Sequence, residues 1–411
     1  MKRVVVVGAG LAGLVNATAL AKAGFSVTCV HFGVGGTPLM PGVVDVFGYG
    51  PQLVSQPLAA VAAASSDHPY GAIGVDATQR GVELIQQLAG PALLMGDAAV
   101  NVCLPTAVGA WRPTCLFSPS MNAGRQGGAQ HIVIVGLQRL KDFYPQLVAA
   151  NLTAASTESE RLVVRSASVD VVARRGEVDT SGMAFARFFD TADGRQALVE
   201  ALRPVVAGDE TVGLPAVLGL DDVTAWRQIE DALGHPVFEI PLSPPSVPGW
   251  RLQKALLRAA TEAGVRFMSG SRVVQVDVAD GQASGVVIDS AGHKTSVAAD
   301  AVVLATGGFE SGGLEIDSYR KVSEPIMGLP LELPSELFVA DAMASQPVFR
   351  AGVRVDSAMH PVDGDGQPVC ANLYAIGGLL AGSIRWEEKT GEGIAVGSAV
   401  AAADAIGKEL A

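Results

Sequence analysis

The stretch Val4-Val5-Val6-Val7-Gly8-Ala9-Gly10-Leu11-Ala12-Gly13 decides the fold of this chain. The four valines form a short apolar run of the kind found in buried strands. Apolar residues then recur at helical spacing from Leu11 to Ala23, and Gly24 follows as a helix-ending residue. The sequence therefore predicts a strand, a tight glycine turn and a helix, which is the opening unit of a Rossmann-like domain.

The three glycines of this turn have the spacing of a dinucleotide-binding motif, Gly-x-Gly-x-x-Gly. Gly8 permits the tight turn, Gly10 lets the backbone approach a phosphate, and Gly13 lets the helix pack closely on the strand. The backbone N–H groups at the helix start and the helix dipole would then face an anion. We predict that Gly8, Gly10 and Gly13 bind the phosphates of a nucleotide cofactor.

The second predicted strand, Phe25 to Val30, ends without the acidic residue that usually holds the adenosine ribose. His31 fills that place, and no Asp or Glu occurs between Met1 and Asp45. This absence argues against NAD and against a conventionally held FAD. It suits FMN, or an FAD held mainly through its pyrophosphate, and the residues alone leave this choice open.

Two later segments resemble the turns that flank the cofactor in two-domain flavoproteins. The run 302–308, Val-Val-Leu-Ala-Thr-Gly-Gly, is similar to the strand and Thr-Gly turn that pass beneath a flavin. The run 372–378, Asn-Leu-Tyr-Ala-Ile-Gly-Gly, leads to a glycine-rich helix and is similar to the second flavin-binding turn, with glycine at 378 where an acidic residue is usual. The predicted cofactor-binding residues of these segments are Thr306, Gly307, Gly377, Gly378, Gly391 and Gly393.

The order of predicted elements indicates an α/β fold: a Rossmann-like FAD/NAD(P)-binding flavoprotein domain with an inserted α/β substrate or interaction domain. The predicted flavin-binding domain comprises residues 1–60, 246–310 and 350–411, the inserted domain residues 61–245, and a connecting segment residues 311–349. Within the insert, we predict a helix over 137–151 and a hinge over the proline-containing region 214–248. A meander of three short strands is predicted over 272–297.

The composition excludes several classes of protein. A net charge of -12 argues against a general electrostatic grip on nucleic acid or anionic lipid. The four cysteines form no Cys-x-x-Cys pair, so we predict neither a metal site nor an iron–sulfur cluster. No apolar run reaches the roughly 18 residues that a membrane span needs, and the apolar run near the amino terminus is too short for a signal peptide. We therefore expect a cytoplasmic protein that meets a membrane only through a partner.

Distinctive segments along nearly the whole chain resemble one family. They are Gly42 with Asp45, His68-Pro69-Tyr70, Gly109 with Arg112, Ser118-Pro119, Leu242 to Leu252, Ser311 to Leu314, Glu324 to Leu329 and Asn372 to Gly378. On these segments the chain resembles the B subunit of the anaerobic glycerol-3-phosphate dehydrogenases. It departs from the family's glycine-rich turn at residues 386–393, Trp-Glu-Glu-Lys-Thr-Gly-Glu-Gly, where two extra carboxylates would need neutralising.

The resemblance implies oxidation of sn-glycerol 3-phosphate to dihydroxyacetone phosphate, with electrons passed to quinone. It implies FMN as the cofactor, with FAD as the alternative, and adds Gly42 to the flavin site. It also implies two partners, an FAD-containing A subunit plus an iron–sulfur C subunit, and attachment through them to the inner face of the cell membrane. The sequence leaves open whether the substrate is oxidised in this chain or in the A subunit.

A phosphorylated polyol requires cationic side chains, and guanidinium groups bind phosphate through two parallel hydrogen bonds. The candidates are Arg112, Arg187, Arg251, Arg354 and Arg385. Arg251 is preferred because it lies at the start of a predicted helix after a proline-stiffened approach, and Arg112 and Arg354 complete the predicted substrate site. His68 and His360 are the predicted catalytic bases, since histidine has a pKa near the working pH.

Two other interpretations stay open at this point. A free-standing FAD-dependent oxidoreductase of the fumarate-reductase type would have the same three glycine turns, and the lack of a co-purifying iron–sulfur protein would favour it. A flavin-free structural subunit would explain the missing ribose acid and the glycine at 378. A colourless purified protein would favour that second interpretation.

Overall fold

The computed structural model describes residues 1–156 and 162–410. Positions 157–161 and 411, which belong to the predicted ranges 61–245 and 350–411, lie outside the described residues. The strands are β1 (Arg3–Val7), β2 (Ser26–His31), β3 (Met95–Gly96), β4 (Val102–Pro105), β5 (Trp111–Thr114), β6 (Leu116–Phe117), β7 (His131–Leu137), β8 (Val163–Val169), β9 (Thr211–Pro215), β10 (Val237–Ile240), β11 (Arg266–Ser269), β12 (Arg272–Ala279), β13 (Gln282–Ser290), β14 (His293–Ala298), β15 (Ala301–Leu304), β16 (Glu315–Ile316), β17 (Val322–Ser323) and β18 (Leu373–Ala375). The helices are α1 (Leu11–Lys22), α2 (Pro57–Ala62), α3 (Pro69–Ala89), α4 (Pro145–Ala155), α5 (Gly182–Phe189), α6 (Ala192–Leu202), α7 (Ala225–Leu233), α8 (Val247–Glu262), α9 (Arg385–Glu388) and α10 (Gly391–Glu409).

The chain forms two compact units. Unit 1 comprises Met1–Gly36, Asp45–Leu88 and Ala255–Ala411, and unit 2 comprises Thr37–Val44 and Ala89–Lys254. Each unit contains a parallel sheet with helices, so the predicted α/β class is confirmed. The unit boundaries differ from the predicted ones, because residues 37–44 and 246–254 belong to unit 2 and residues 61–88 belong to unit 1.

Residues 61–88 belong to unit 1 because α3 packs directly on α10. Gly81 of α3 lies so close to α10 that an added Cβ would stand 2.5 Å from the carbonyl oxygen of Val396. The Arg80 guanidinium also donates to the carboxylate of Asp404 at 2.6 Å. A close backbone contact of this kind requires glycine at the contact position. Such a contact cannot be predicted from the hydrophobic pattern of the sequence.

The sheet of unit 1 has the strand order β11-β2-β1-β15-β18, and all its pairs are parallel. β1 lies in the centre, where Val4 to Val7 are buried, as expected of a strand covered on both faces. β12, β13 and β14 form a separate antiparallel meander, so the prediction over 272–297 is confirmed.

Helix α1 connects β1 to β2 and packs on α10. Its side chains are buried almost all round, because alanine and glycine at many positions allow close helix packing. The buried amide of Asn16 donates to the carbonyl oxygen of Ala399 at 2.8 Å, which ties the two helices together. The start of α1 is therefore fixed from both sides, by the strand before it and by the helix beside it.

The sheet of unit 2 has the order β10-β9-β7-β8, again with parallel pairs. The predicted helix over 137–151 is wrong in its first half, because β7 extends to Leu137 and α4 begins only at Pro145. The predicted hinge over 214–248 is also wrong. That region contains the end of β9, helix α7 with its left-handed glycine cap at 234, and β10.

Arg251, predicted as the main phosphate ligand, is instead part of the buried core of unit 2. Its guanidinium donates to both carboxylate oxygens of Glu239, at 2.6 and 3.0 Å, and to the carbonyl oxygen of Gly219 at 2.7 Å. The two side chains are only 2% and 0% exposed. Ser120 and the Leu218 amide also donate to this carboxylate. The prediction for Arg251 is therefore wrong, since its hydrogen bonds hold unit 2 together.

We expect Arg251→Met to lower the free energy of unfolding by about 3–5 kcal/mol, because it leaves the Glu239 charge buried without its partner. The double variant Arg251→Met/Glu239→Leu should recover part of this loss, since no charge is then buried. Urea unfolding of the purified variants measures both effects.

Arg187→Met is the matched control, because Arg187 is exposed on α5 and should change stability by no more than about 0.5 kcal/mol. A loss below about 1 kcal/mol for Arg251→Met, or a double variant as unstable as the single one, would contradict the structural role.

Candidate flavin site

The glycine turn between β1 and α1 has the geometry of an anion cradle. Gly8 has a φ of +115°, and a Cβ there would stand 2.3 Å from the carbonyl oxygen of Ala305. A Cβ on Gly13 would stand 2.0 Å from the carbonyl oxygen of Gly8, so both positions require glycine for packing. Gly10 differs, because the nearest atom to its added Cβ is the Gly36 nitrogen at 4.0 Å. In the dinucleotide-binding motif, the open space beside this glycine is where the backbone approaches a phosphate.

The start of α1 can supply the hydrogen bonds for such a phosphate. Gly10 is the N-cap residue and carries no side chain that could cap the first N–H groups. The first turn contains no acidic residue that would repel an anion. These free donors and the helix dipole together favour a bound negative charge.

The imidazole of His31, at the end of β2, is already engaged by its neighbours. The imidazole nitrogens of His31 contact the carbonyl oxygen of Gly33 at 2.8 Å and the hydroxyl of Ser269 at 2.9 Å. Gly35 is absent from the predicted site residues, yet its φ of +75° and its contact with Gly10 bring the loop after β2 against the cradle. The sequence feature that could have predicted this residue is a glycine four residues after His31, the last residue of β2.

The Thr-Gly turn after β15 lies beside the first turn, because β1 and β15 are adjacent and Val7 pairs with Leu304. Gly307 has a φ of +77°, and its Cβ would stand 2.6 Å from the side chain of Ser311. Within the described chain, the buried hydroxyl of Thr306 has no hydrogen-bond partner. A buried polar atom of this kind indicates a group that the protein alone does not supply.

The third turn follows β18, which pairs with the edge of β15 opposite to the edge that pairs with β1. Gly377 has a φ of +69°, and a Cβ there would stand 2.8 Å from the Cβ of Ala12 on α1. Its N–H donates to the Ser398 hydroxyl of α10 at 2.9 Å. Gly378 lies against the guanidinium of Arg385, to which its carbonyl oxygen is hydrogen-bonded. The three predicted turns therefore meet at one edge of the sheet.

Gly391 and Gly393 begin α10, and they differ in what surrounds them. A Cβ on Gly393 would stand 2.2 Å from the hydroxyl of Tyr70, so this glycine serves packing. A Cβ on Gly391 would meet only the side chain of Arg385, at 3.5 Å. Of the two predicted residues, Gly391 is the one with open space beside it.

Gly42, which the resemblance adds to the flavin site, belongs to unit 2 and is a packing residue there. It has a φ of +77°, and a Cβ would stand 2.3 Å from the Cβ of Pro248. This contact accounts for the glycine without a cofactor, so the geometry does not support the predicted flavin-binding role of Gly42.

The two extra carboxylates of the 386–393 segment are held by neighbours. Glu387 accepts a hydrogen bond from Ser345 at 2.8 Å. Glu388 faces His68 at 3.3 Å and Ser383 at 2.5 Å, with Arg350 at 3.6 Å. Burial opposes ionisation of Glu388, yet the hydrogen bonds from His68 and Ser383 outweigh it and hold its pKa below its usual range.

His68 has both ring nitrogens engaged. Nδ1 accepts the N–H of Tyr70 at 3.1 Å, so the proton of the neutral ring is on Nε2, which faces Glu388. The ring also stacks against Phe47 and Tyr70. A base needs an accessible lone pair, and this geometry gives His68 a structural role instead of the predicted catalytic one.

His360 is likewise enclosed. Its Nδ1 lies 3.2 Å from a carboxylate oxygen of Asp356, and its Nε2 lies 3.3 Å from one of Glu409. Tyr374 donates to the same Glu409 oxygen, and burial together with this carboxylate raises the pKa of Tyr374. The imidazole side chain is 9% exposed, so the geometry does not support its predicted role as a catalytic base.

The other predicted substrate residues lie in different units. Arg354 belongs to unit 1, is 58% exposed and lies 3.5 Å from Glu332. Arg112 belongs to unit 2, where it lines a cavity of about 300 Å³ with mainly apolar walls, among them Val43, Leu104 and Leu242. Unlike Arg251, Arg354 is open to solvent and could accept an anion without disturbing a buried core.

The residues of unit 1 fit a flavin nucleotide. The open side of Gly10, the uncapped start of α1 and the unpartnered Thr306 hydroxyl lie on adjacent strands and offer what a phosphorylated cofactor needs. All four cysteines are free thiols, and burial raises the pKa of Cys29 to about 12. In the part of the chain that the structure describes, no group of ligating side chains could hold a metal ion, and no helix is long and apolar enough to cross a membrane.

Comparisons with known proteins agree with this geometry. The sequence profile of the FAD binding domain family matches residues 3–394. The probable B subunit of the anaerobic glycerol-3-phosphate dehydrogenase from Halobacterium salinarum is 32% identical over 423 residues, which cover 99% of this chain and 98% of that protein. The corresponding B subunit from Pectobacterium atrosepticum is 31% identical with the same coverage.

Among solved structures, 3-ketosteroid delta1-dehydrogenase from Sterolibacterium denitrificans aligns with 99% of this chain and 100% of its own, at 11% identity and a TM-score of 0.46. The profile match and the full-length relatives decide the classification. The chain belongs to the FAD-binding flavoprotein oxidoreductases and, within them, to the family of anaerobic glycerol-3-phosphate dehydrogenase B subunits.

Proposed function

We propose that this chain is the flavin-bearing B subunit of a glycerol-3-phosphate dehydrogenase, which oxidises sn-glycerol 3-phosphate to dihydroxyacetone phosphate. The observation that carries the proposal is identity of about a third over the whole length of relatives with that name. The three glycine turns at one sheet edge support it, because they provide a place for the redox cofactor. When bound, a flavin supplies the capacity to accept a hydride from the substrate carbinol carbon.

We propose FAD as the cofactor, where the resemblance on sequence motifs implied FMN. The match of the FAD binding domain family over residues 3–394 favours FAD. The glycine cradle at Gly10 also favours a dinucleotide, because this motif accommodates a pyrophosphate. His31 in place of the ribose acid implies that the adenosine is held mainly through its phosphates. FMN released from the purified protein would reverse this assignment.

The phosphate of the substrate is assigned to Arg354 or Arg112, now that Arg251 is a core residue. Arg354 is the more exposed of the two, and Arg112 lines a cavity. The guanidinium group of either can bind a phosphate through two hydrogen bonds.

The proposal includes other subunits and an electron path. The four cysteines are scattered and free, and we propose that electrons reach quinone through iron–sulfur clusters that another protein supplies. We propose two partners, an FAD-containing A subunit plus an iron–sulfur C subunit. Their membrane attachment would place this chain at the cytoplasmic face.

We expect Gly10→Val to lower flavin affinity by more than about tenfold while the chain stays folded. The backbone of Gly10, with φ of -76° and ψ of -175°, accepts a β-branched residue, and the new side chain would fill the cradle. The measurement is flavin absorbance per protein after gel filtration, with circular dichroism as the test of folding. Acid release and chromatography of the wild-type cofactor identify it as FAD or FMN.

Gly50→Val is the matched control for this variant. Gly50 lies in the same unit, and an added Cβ there meets no atom within 4 Å. Full flavin content in Gly10→Val would contradict the assignment of the cradle. A colourless wild-type protein, even after reconstitution with FAD or FMN, would favour a flavin-free structural subunit.

We expect the assembled complex, and not this chain alone, to pass electrons from sn-glycerol 3-phosphate to a soluble quinone. The test mixes chemically reduced chain with the quinone, with and without co-expressed A and C subunits, and follows reoxidation of the flavin by absorbance. A tenfold or larger acceleration by the partners supports the relay. Equally fast reoxidation without them would favour a free-standing oxidoreductase.

A further inference from the structure

The guanidinium of Arg385 lies between two of the flavin-binding turns. An added Cβ on Gly308 would stand 3.0 Å from its Nη2, and one on Gly378 would stand 3.2 Å from its Cζ. The side chain is 16% exposed, and it also donates to the carbonyl oxygen of Gly378. Both glycines therefore leave room for a fixed positive charge at the edge of the sheet where the flavin is assigned.

The partner of this guanidinium is Glu310, which follows the Thr-Gly turn. Its carboxylate accepts from Arg385 at 3.0 Å and from the N–H of Gly308 at 3.3 Å. Glu310 is 57% exposed, so solvent screens its charge more than that of Arg385. The neighbouring acids Glu387 and Glu388 are held by other residues, Ser345 and His68 among them. Within this pair, the cation is therefore the charge less screened by solvent, and it lies directly against the two turns.

We propose that Arg385 sets the reduction potential of the flavin held by this chain and that Glu310 partly offsets it. The inference rests on the proposed flavin binding. Reduction by two electrons and one proton leaves one negative charge on the ring system of an initially neutral flavin. A nearby cation stabilises that charge, so it makes the reduced form bind more tightly than the oxidised form.

The two residues should shift the reduction potential of the flavin in opposite directions, because their charges have opposite signs. Arg385→Gln should lower the preference of the protein for reduced over oxidised flavin about tenfold, which corresponds to about 30 mV for a two-electron couple. Arg385→Lys keeps the charge and should keep most of the potential. Glu310→Gln removes the offsetting charge and should raise the potential, by less than Arg385→Gln lowers it because Glu310 is exposed.

The experiment is a spectroscopic redox titration of the flavin in the purified full chain, against a reference dye, for the wild type and these three variants. Opposite shifts for Arg385→Gln and Glu310→Gln, with Arg385→Lys near the wild type, support the inference. If Arg385→Gln loses its flavin, the potentials of Arg385→Lys and Glu310→Gln still show whether the two charges shift the flavin potential in the proposed directions.

Any of three results would overturn the inference. They are an unchanged potential in Arg385→Gln, a potential in Arg385→Lys as low as that in Arg385→Gln, and a potential in Glu310→Gln below that of the wild type. These outcomes leave the flavin assignment intact, since the cofactor is still bound and titrated. A wild-type chain that takes up no flavin would overturn the inference together with the proposed function, and the absorption spectrum distinguishes that case.

Discussion

The parallel register of β1, β15 and β18 is the constraint on which the site depends. Val7 pairs with Leu304, and Leu304 pairs with Ala375, so three segments leave the sheet at the same edge. A slip of one residue along a strand would move its turn out of line with the other two, and the close packing of the buried side chains on both faces of these strands opposes it. Hydrophobic burial in the strands thus positions glycine turns that lie far apart in the sequence.

The glycine turns could be predicted because their chemistry is local. A turn that needs a positive φ or a close approach restricts the residue at that position, and Gly8, Gly13 and Gly307 show such restrictions. The roles of Arg251 and His68 could not be predicted in the same way, because each depends on a partner elsewhere in the chain. Arg251 did have one signal, since Glu239 is a lone acid in the buried strand Val-Phe-Glu-Ile, and a buried carboxylate requires a cation.

Strands β1 and β2 and the meander β12–β14 follow the hydrophobic pattern, and the boundaries of the units do not. The contact between α3 and α10 joins residues more than 300 positions apart, and it depends on a glycine in each helix, Gly81 and Gly397. The predicted helix over 137–151 failed because Pro145 marks a helix start, not a position inside a helix. Proline and glycine mark breaks in structure, but they do not say whether a hinge or a short element follows.

The cradle at Gly10 is built from uncharged groups, and this affects the kinetics of cofactor uptake. Residues 4–21 contain no charged side chain, while the chain as a whole has a net charge of -12. The net charge therefore repels an anionic nucleotide at long range, while backbone dipoles hold it at short range. Once the site is filled, dissolved ions screen these short-range interactions only weakly. Added salt should thus speed the association of the cofactor and leave its dissociation nearly unchanged, the reverse of what a lysine-lined phosphate site would show.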